Sequence, residues 1–271
     1  MSISKLAAII LAVALIASAA ANIYFITQTT ESGSATKVDM LNTLSQIQLQ
    51  VDTELTRIGQ SLAYASEQLS TVGLTGAQAD AILSELAANS SFIIDAGTQN
   101  MDRTMVAIQP PEYSSTIGQD VGEQKWLNTN PNGEITPMMT PVIPLIENMT
   151  GIAMAAPVFD SNKEMIGVIS VIFNPHELLS SSISEVTRDP QYEFTVLQLD
   201  GLIMFDSHSA QGQNFFTSTD NTEILNIGNQ IVNDSSGYST YTIEGGEQKQ
   251  SYWTTINAYG QDWRLIIHHA I

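Results

Sequence analysis

A few short stretches hold the residue types that do chemistry. Asp206-Ser207-His208-Ser209 carries the acid, base and nucleophile of a hydrolase within four residues, but such groups are assembled across a fold rather than along one turn. No Gly-x-Ser-x-Gly elbow accompanies them, so the segment reads as a polar loop after a strand. His268 and His269 are neighbours on an expected strand, where successive side chains point to opposite faces and cannot easily share one metal ion. His176 falls in the first turn of an expected helix. EF-hand, Walker and dinucleotide fingerprints are absent. The chain has no cysteine, which removes disulfides, thiolate nucleophiles, iron–sulfur clusters and Cys-ligated zinc together. The expectation is a protein that is not an enzyme and that carries no metal or cofactor.

The bulk properties point to a folded, acidic exterior. Hydrophobic residues make up 43% of the 271 and charged residues 14%, far from the composition of a disordered chain. With 28 acidic and 9 basic residues the net charge is −19, a field that repels a phosphate backbone, so nucleic acid is not an expected partner.

Residues 6–26 are apolar except for Ser18 and Asn22. At about 1.5 Å per residue they reach roughly 30 Å, the thickness of a bilayer's hydrocarbon core. Lys5 precedes them and acidic residues predominate after them, which predicts a single-pass anchor within residues 1–30, with the N-terminus inside and the bulk of the chain extracytoplasmic. A cleaved signal peptide is the alternative, since Ala17-Ser18-Ala19 has the small-x-small form of a cleavage site. Both readings export the remainder.

Beyond a polar joint, apolar residues fall at Met40, Leu44, Ile47, Val51, Leu55, Ile58, Leu62, Ala65 and Leu69, in steps of three or four. That spacing predicts one long amphipathic stalk helix within residues 31–72, ended at Val72-Gly73. If part of the stripe stays uncovered, it would pair with a second copy as a homodimer. Thr75 and Gln78 have the spacing of a capping box for a shorter helix. From Phe92 the pattern changes to short strands: 92–94, 105–108, 151–159 and 165–173, the last two joined by a turn at Asp160-Ser161-Asn162. Asn174-Pro175 opens a connecting helix. A second β-rich unit follows, with strands at 194–199, 202–205, 238–243, 250–256 and 263–269 around a helix near 222–232. The fold class is therefore α+β, with two antiparallel-sheet subdomains in tandem over 73–186 and 187–271.

This order of features resembles the double Cache family of PAS-like extracytoplasmic sensor domains. The residues that carry the resemblance are Gly151-Ile152-Ala153-Met154-Ala155-Ala156-Pro157-Val158-Phe159-Asp160, then Ile166-Gly167-Val168-Ile169, the Asp200-Gly201 turn and the closing Trp263-Arg264-Leu265-Ile266. The resemblance implies a receptor ectodomain that binds a small molecule in its membrane-distal unit, 73–186, and passes the signal along the stalk helix. Ile271 is reached without a second span or an output module. The chain is then either a fragment of a longer receptor or a sensor with a separate cytoplasmic or membrane output partner. A structural or dimerisation protein and, less favoured, an exported hydrolase are the competing readings.

The resemblance also locates a pocket. Gln124-Lys125-Trp126-Leu127 stands where amino-acid-binding relatives carry Arg-x-Trp-Tyr, and only Trp126 matches. Glu147 is the nearest equivalent of the acid that meets a ligand ammonium. With Gln124 in place of arginine, charge-assisted recognition of a carboxylate is lost, so a neutral or cationic ligand is expected. Met105 and Met139, with Met138 and Met149, would supply an adaptable apolar lining. An Asn148-Met149-Thr150 sequon beside Glu147 suits a surface position.

Overall fold

The stripe from Met40 to Leu69 lies along helix α1 (Ser34–Val72), 39 residues long. All nine of its apolar residues are buried. Each leucine or isoleucine so removed from water contributes about 1.5–3 kcal/mol, far more than helix propensity supplies. Gly73 ends the helix with φ at 87°, its N–H donating to the Leu69 carbonyl at 2.8 Å. The structure is a computed structural model that describes residues 34–122, 137–146, 149–243 and 245–271. Residues 6–26, the expected anchor, lie outside these. Among the described residues no helix is long and apolar enough to cross a membrane.

Helix α2 (Ala77–Ala87) follows, and here the capping expectation is corrected. Gly76, at φ 99°, is the N-cap, and no side chain caps the helix. The first sheet contains β1 (Ile93–Asn100), β2 (Met105–Gln109), β3 (Met138–Met139), β4 (Ile143–Pro144), β5 (Thr150–Phe159) and β6 (Met165–Phe173). Its order is β2-β1-β6-β5-β3, with β4 also paired to β5. The β5–β6 turn is built by Asp160, whose Oδ1 accepts from Asn162 N at 2.8 Å and Glu164 N at 2.9 Å. Helix α3 (Pro175–Val186) begins as read, with Asn174 Oδ1 accepting from His176 N at 3.0 Å.

The second sheet runs β8-β7-β11-β10-β9, from β7 (Glu193–Gln198), β8 (Ile203–Asp206), β9 (Gly237–Thr242), β10 (Gln248–Ala258) and β11 (Gln261–Ala270). Helix α4 (Thr222–Asn233) connects its two halves, capped by the Asn221 side chain. Every strand pairing in both sheets is antiparallel. The α+β class, with one long helix and then two antiparallel sheets, is as expected.

Helix α1 is common to both halves. It packs on β5 and β6 of the first sheet, on β10 and β11 of the second, and on α2 and α3. One continuous apolar core results, from Met40 through Met154 and Val171 to Trp263 and Ile267. This burial corrects the dimer expectation: Leu44, Ile47, Val51, Leu55, Ile58 and Leu62 are at most 2% exposed. The chain's own sheets cover the stripe, so it offers no seam to a second copy.

Candidate functional site

Each sheet has a second face, and on the first sheet that face is unlike the core. Along β5 and β6 the α1 side takes Ile152, Met154, Ala156, Val158, Ile169 and Val171, all part of the continuous core. Alternation sends Ala153, Ala155 and Ser170 to the other side. Register adds Asp95 and Gly97 of β1, which pair with Ile172 and Ser170. The far face of this sheet thus has a floor of small residues.

Gly97 has a particular role on that floor. A Cβ there would come 2.9 Å from the Met105 sulfur, so the Met105 side chain lies across the glycine. At the far end, a Cβ on Gly151 would come 2.9 Å from Leu145 Cδ1, which places Leu145 over the same face. Thr140 holds the intervening segment to β5, its Oγ1 accepting from Ala153 N at 3.0 Å while its own N–H donates to the Ala153 carbonyl at 2.9 Å.

Asp95 is the chemically decisive member. It is a carboxylate only 1% exposed, in mid-strand. Gln99, 4% exposed, lies two positions along. Neither residue was singled out from sequence. The available signal was a carboxylate set between Ile93-Ile94 and Ala96 in what reads as an apolar strand start.

The sequence-derived site residues fare differently from one another. Gln124, Trp126 and Glu147 lie outside the described residues. Met105 is on the floor. Met139 is on the opposite face, packed in the α1-side core and paired with Met154, while Met138 pairs with Ala155. The structure therefore does not bring Met105 and Met139 together.

The backbone of Met139 has a further connection. Its N–H donates to the Tyr259 carbonyl at 3.1 Å, and its carbonyl accepts from Gln261 Nε2 at 3.0 Å. Val142 N donates to Gln198 Oε1 at 2.7 Å. The segment beside the floor is thus bonded to the β10–β11 hairpin and to β7 of the second sheet. Tyr259 in turn lies against α1, where Gly59 leaves room for its ring.

The other candidates stay apart. Asp206 Oδ1 accepts from the backbone of His208 at 2.8 Å and of Ala210 at 3.2 Å, and Ser207 Oγ accepts from Phe194 N at 2.8 Å. His208 turns outward to Glu193 at 3.0 Å. These are turn-building contacts and do not assemble a nucleophile with its base. His268 and His269 do face opposite ways: His268 contacts Thr195 and Ser251, whereas the His269 ring lies at a tilt beside Tyr192. Among the described residues no group of three His, Asp or Glu side chains could hold a metal ion.

Comparison with known proteins agrees with this architecture. Residues 53–175 match the family of HK/GC/Chemotaxis protein-like sensor domains. The structure is similar to an extracellular ligand binding receptor from Desulfohalobium retbaense, with 29% identity and a TM-score of 0.72 over 85% of this chain. The chain spans 40% of that protein's length. It also resembles the extracellular domain of a histidine kinase termed rpHK1S-Z16 (12% identity, TM-score 0.63, 88% of this chain and 95% of that one). A third likeness is to the sensory domain of the Campylobacter jejuni chemoreceptor Tlp3 with isoleucine bound (13% identity, TM-score 0.63, 87% of this chain and 93% of that one). No curated protein matches the sequence significantly. The resemblance to double Cache domains holds: fold and matches are those of extracellular ligand-binding sensor domains of chemoreceptors and histidine kinases.

Proposed function

We propose that this chain is the extracytoplasmic ligand-sensing part of a membrane-anchored receptor and has no catalytic activity. The ligand is a neutral or cationic small molecule, held on the floor of the first sheet, the membrane-distal unit. Asp95 carries this reading, being a nearly fully buried carboxylate on a floor of small residues. It would meet an amine, ammonium or other donor of the ligand, and Met105 would adapt to its apolar body. The amino acids named for similar chemoreceptor domains, such as isoleucine and L-Gln, also need a partner for their carboxylate. Gln124 gives no charge-assisted one. Occupancy would act on the segment from Met138 to Val142, and from there on the Tyr259 hairpin and α1. The relatives' membrane-receptor context and the apolar residues 6–26 support an anchored, exported chain with a separate or downstream output partner.

The test is a thermal-shift screen of the full chain against a metabolite library. A specific ligand at a hundred times its Kd adds about 2.7 kcal/mol of stability. The Asp95→Asn variant should bind a cationic hit at least tenfold more weakly while keeping its fold. A hit bound equally well by both forms would show that the ligand does not rest on this floor.

A further inference from the structure

Where the segment after β3 is bonded to the second sheet, an open cleft of about 510 Å³ lies beside the joint. That volume falls among those of small-molecule sites, roughly 300–1,000 Å³. Both halves of the chain wall it. Pro141 comes from the segment after β3, Gln198, Leu199 and Asp200 from the end of β7, and Asn257 and Asp262 from the β10–β11 hairpin.

Two carboxylates stand in the cleft with half of their capacity engaged. Asp200 Oδ1 accepts from Leu202 N at 3.0 Å, and Asp262 Oδ1 accepts from the Asn257 side-chain amide. Among the described residues, neither Oδ2 has a hydrogen-bond partner and neither carboxylate forms an ion pair. Arg264, two residues beyond Asp262, directs its guanidinium elsewhere, to the carbonyls of Ile231 and Val232 and to Thr255 Oγ1. With a net charge of −19 on the chain, the cleft favours a cation and repels an anion.

Acidic side chains alone would be a solvated rim, but the deeper wall adds a separate demand. Gln198 is 5% exposed, and its Oε1 accepts from Val142 N at 2.7 Å. That bond fixes which end of the amide is the donor. Nε2 is closed off from water and has no acceptor among the described residues. Trp263, the cross-strand partner of Gln198, carries a second buried donor without one, its indole Nε1. A buried donor left unpaired costs about 1–3 kcal/mol. An acceptor oxygen entering from the cleft would draw the Gln198 amide toward itself, and Val142, bonded to the same amide, would follow.

We propose that this cleft is a second ligand site, for a small molecule that joins an ammonium group to an uncharged carbonyl, as an amino-acid amide or the amino end of a peptide does. The ammonium pairs with Asp200 and Asp262, in charge-assisted bonds to their free oxygens. The carbonyl oxygen accepts from Gln198 Nε2. Leu199, 43% exposed, gives the ligand's body an apolar contact. The site is independent of the floor bearing Asp95, and its ligand acts directly on the segment from Met138 to Val142.

The test uses the ¹⁵N-labelled full chain, titrated in parallel with glycinamide, ethylammonium, acetamide and glycine. With glycinamide, the backbone amide signals of Leu199, Asp200, Asn257 and Val142 should shift and saturate, at a half-saturation concentration at least fivefold below that of each other probe. Asp200→Asn should weaken glycinamide and ethylammonium alike, several-fold, and leave acetamide unchanged. Gln198→Met, which removes the donor, should bring glycinamide to the affinity of ethylammonium. Asp95→Asn should change none of these values, which separates this site from the first. If Gln198→Met does not fold, Asp262→Asn, which should act as Asp200→Asn does, and the Val142 signal decide instead. Shifts that rise linearly, that are equal for all four probes, that leave Val142 unmoved, or that vanish in Asp95→Asn overturn the proposal.

Discussion

Gly59→Ala offers a sensitive probe of how the two halves are joined. In a helix interior, alanine is better than glycine by about 0.8–1 kcal/mol, so the substitution should stabilise α1 if nothing lies nearby. Here the new methyl would overlap the Tyr259 Oη and Cζ and come 2.9 Å from Cε1. Ordinary carbon contacts are roughly 3.5–4.0 Å, so the ring must retreat by about 1 Å or more. Overpacking of this kind typically costs about 1–3 kcal/mol. The net expectation is a loss of about 0–2 kcal/mol. In a Tyr259→Ala background the obstruction is gone, and the same substitution should stabilise by about 1 kcal/mol. Urea denaturation of the four proteins closes the cycle, with an expected coupling of about 1–3 kcal/mol. Equal stabilisation by Gly59→Ala in both backgrounds would show that Tyr259 does not rest on α1, and the route from Met139 to the helix would fall with it.

Leu55, fully buried in the middle of α1, should lose about 2–5 kcal/mol on change to alanine, read as a lower urea midpoint at unchanged slope. Two buried groups should oppose each other on acidification. His268, at about 4 in the fold against 6.5 ordinarily, binds fewer protons folded than unfolded, so its contribution, roughly 3 kcal/mol, is lost as pH falls from 6.5 to 4. Burial raises Asp52 to about 6 from 3.8, so it binds more protons folded and returns a similar amount over pH 6 to 4. Asp52→Asn should therefore steepen the acid loss of stability, and a pH profile unchanged by this substitution would count against that assignment.

Much of the architecture was legible because its residues obey one period at a time. Residues 165–173 read as a strand and are one, since neither end is polar enough to blur it. Asn174 and Pro175 fix the start of α3 by local chemistry that needs no tertiary context. Strand β1 was cut short at Ile94 because Asp95, Gly97 and Gln99 look unlike a strand, and they do so because that face is the candidate floor. The two-residue strands β3 and β4 are too short to show a period. At Thr75 the capping box failed because Gly76 adopts a positive φ and becomes the cap itself. Periodicity along α1 showed that a face is buried but not against what, hence the mistaken dimer seam. The site was sought by motif likeness around Gln124 and Glu147, whereas Asp95 belongs to no motif and becomes conspicuous only through its burial.

Both sheets present the same division, and it bears on how the chain could signal. The faces toward α1 are almost wholly apolar, while the opposite faces hold Asp95 and Gln99 in one half and Thr195, Ser251 and His268 in the other. Polar groups closed off from water contribute little to stability, so stability alone does not account for their place there. Because α1 packs on both sheets, a shift of either sheet acts on the same rigid element. The bonds from Met139 to Tyr259 and Gln261 add a direct link at the point where α1 passes Gly59. A ligand held on the distal floor and the seating of Tyr259 on α1 must then be coupled reciprocally, each changing the free energy of the other by the same amount. Titrating the distal ligand against the unmodified chain and against Tyr259→Ala should give affinities whose ratio differs from one. Coupling of about 1–3 kcal/mol would correspond to a ratio of about 5–150. A ratio of one would mean that α1 holds the sheets together without transmitting between them.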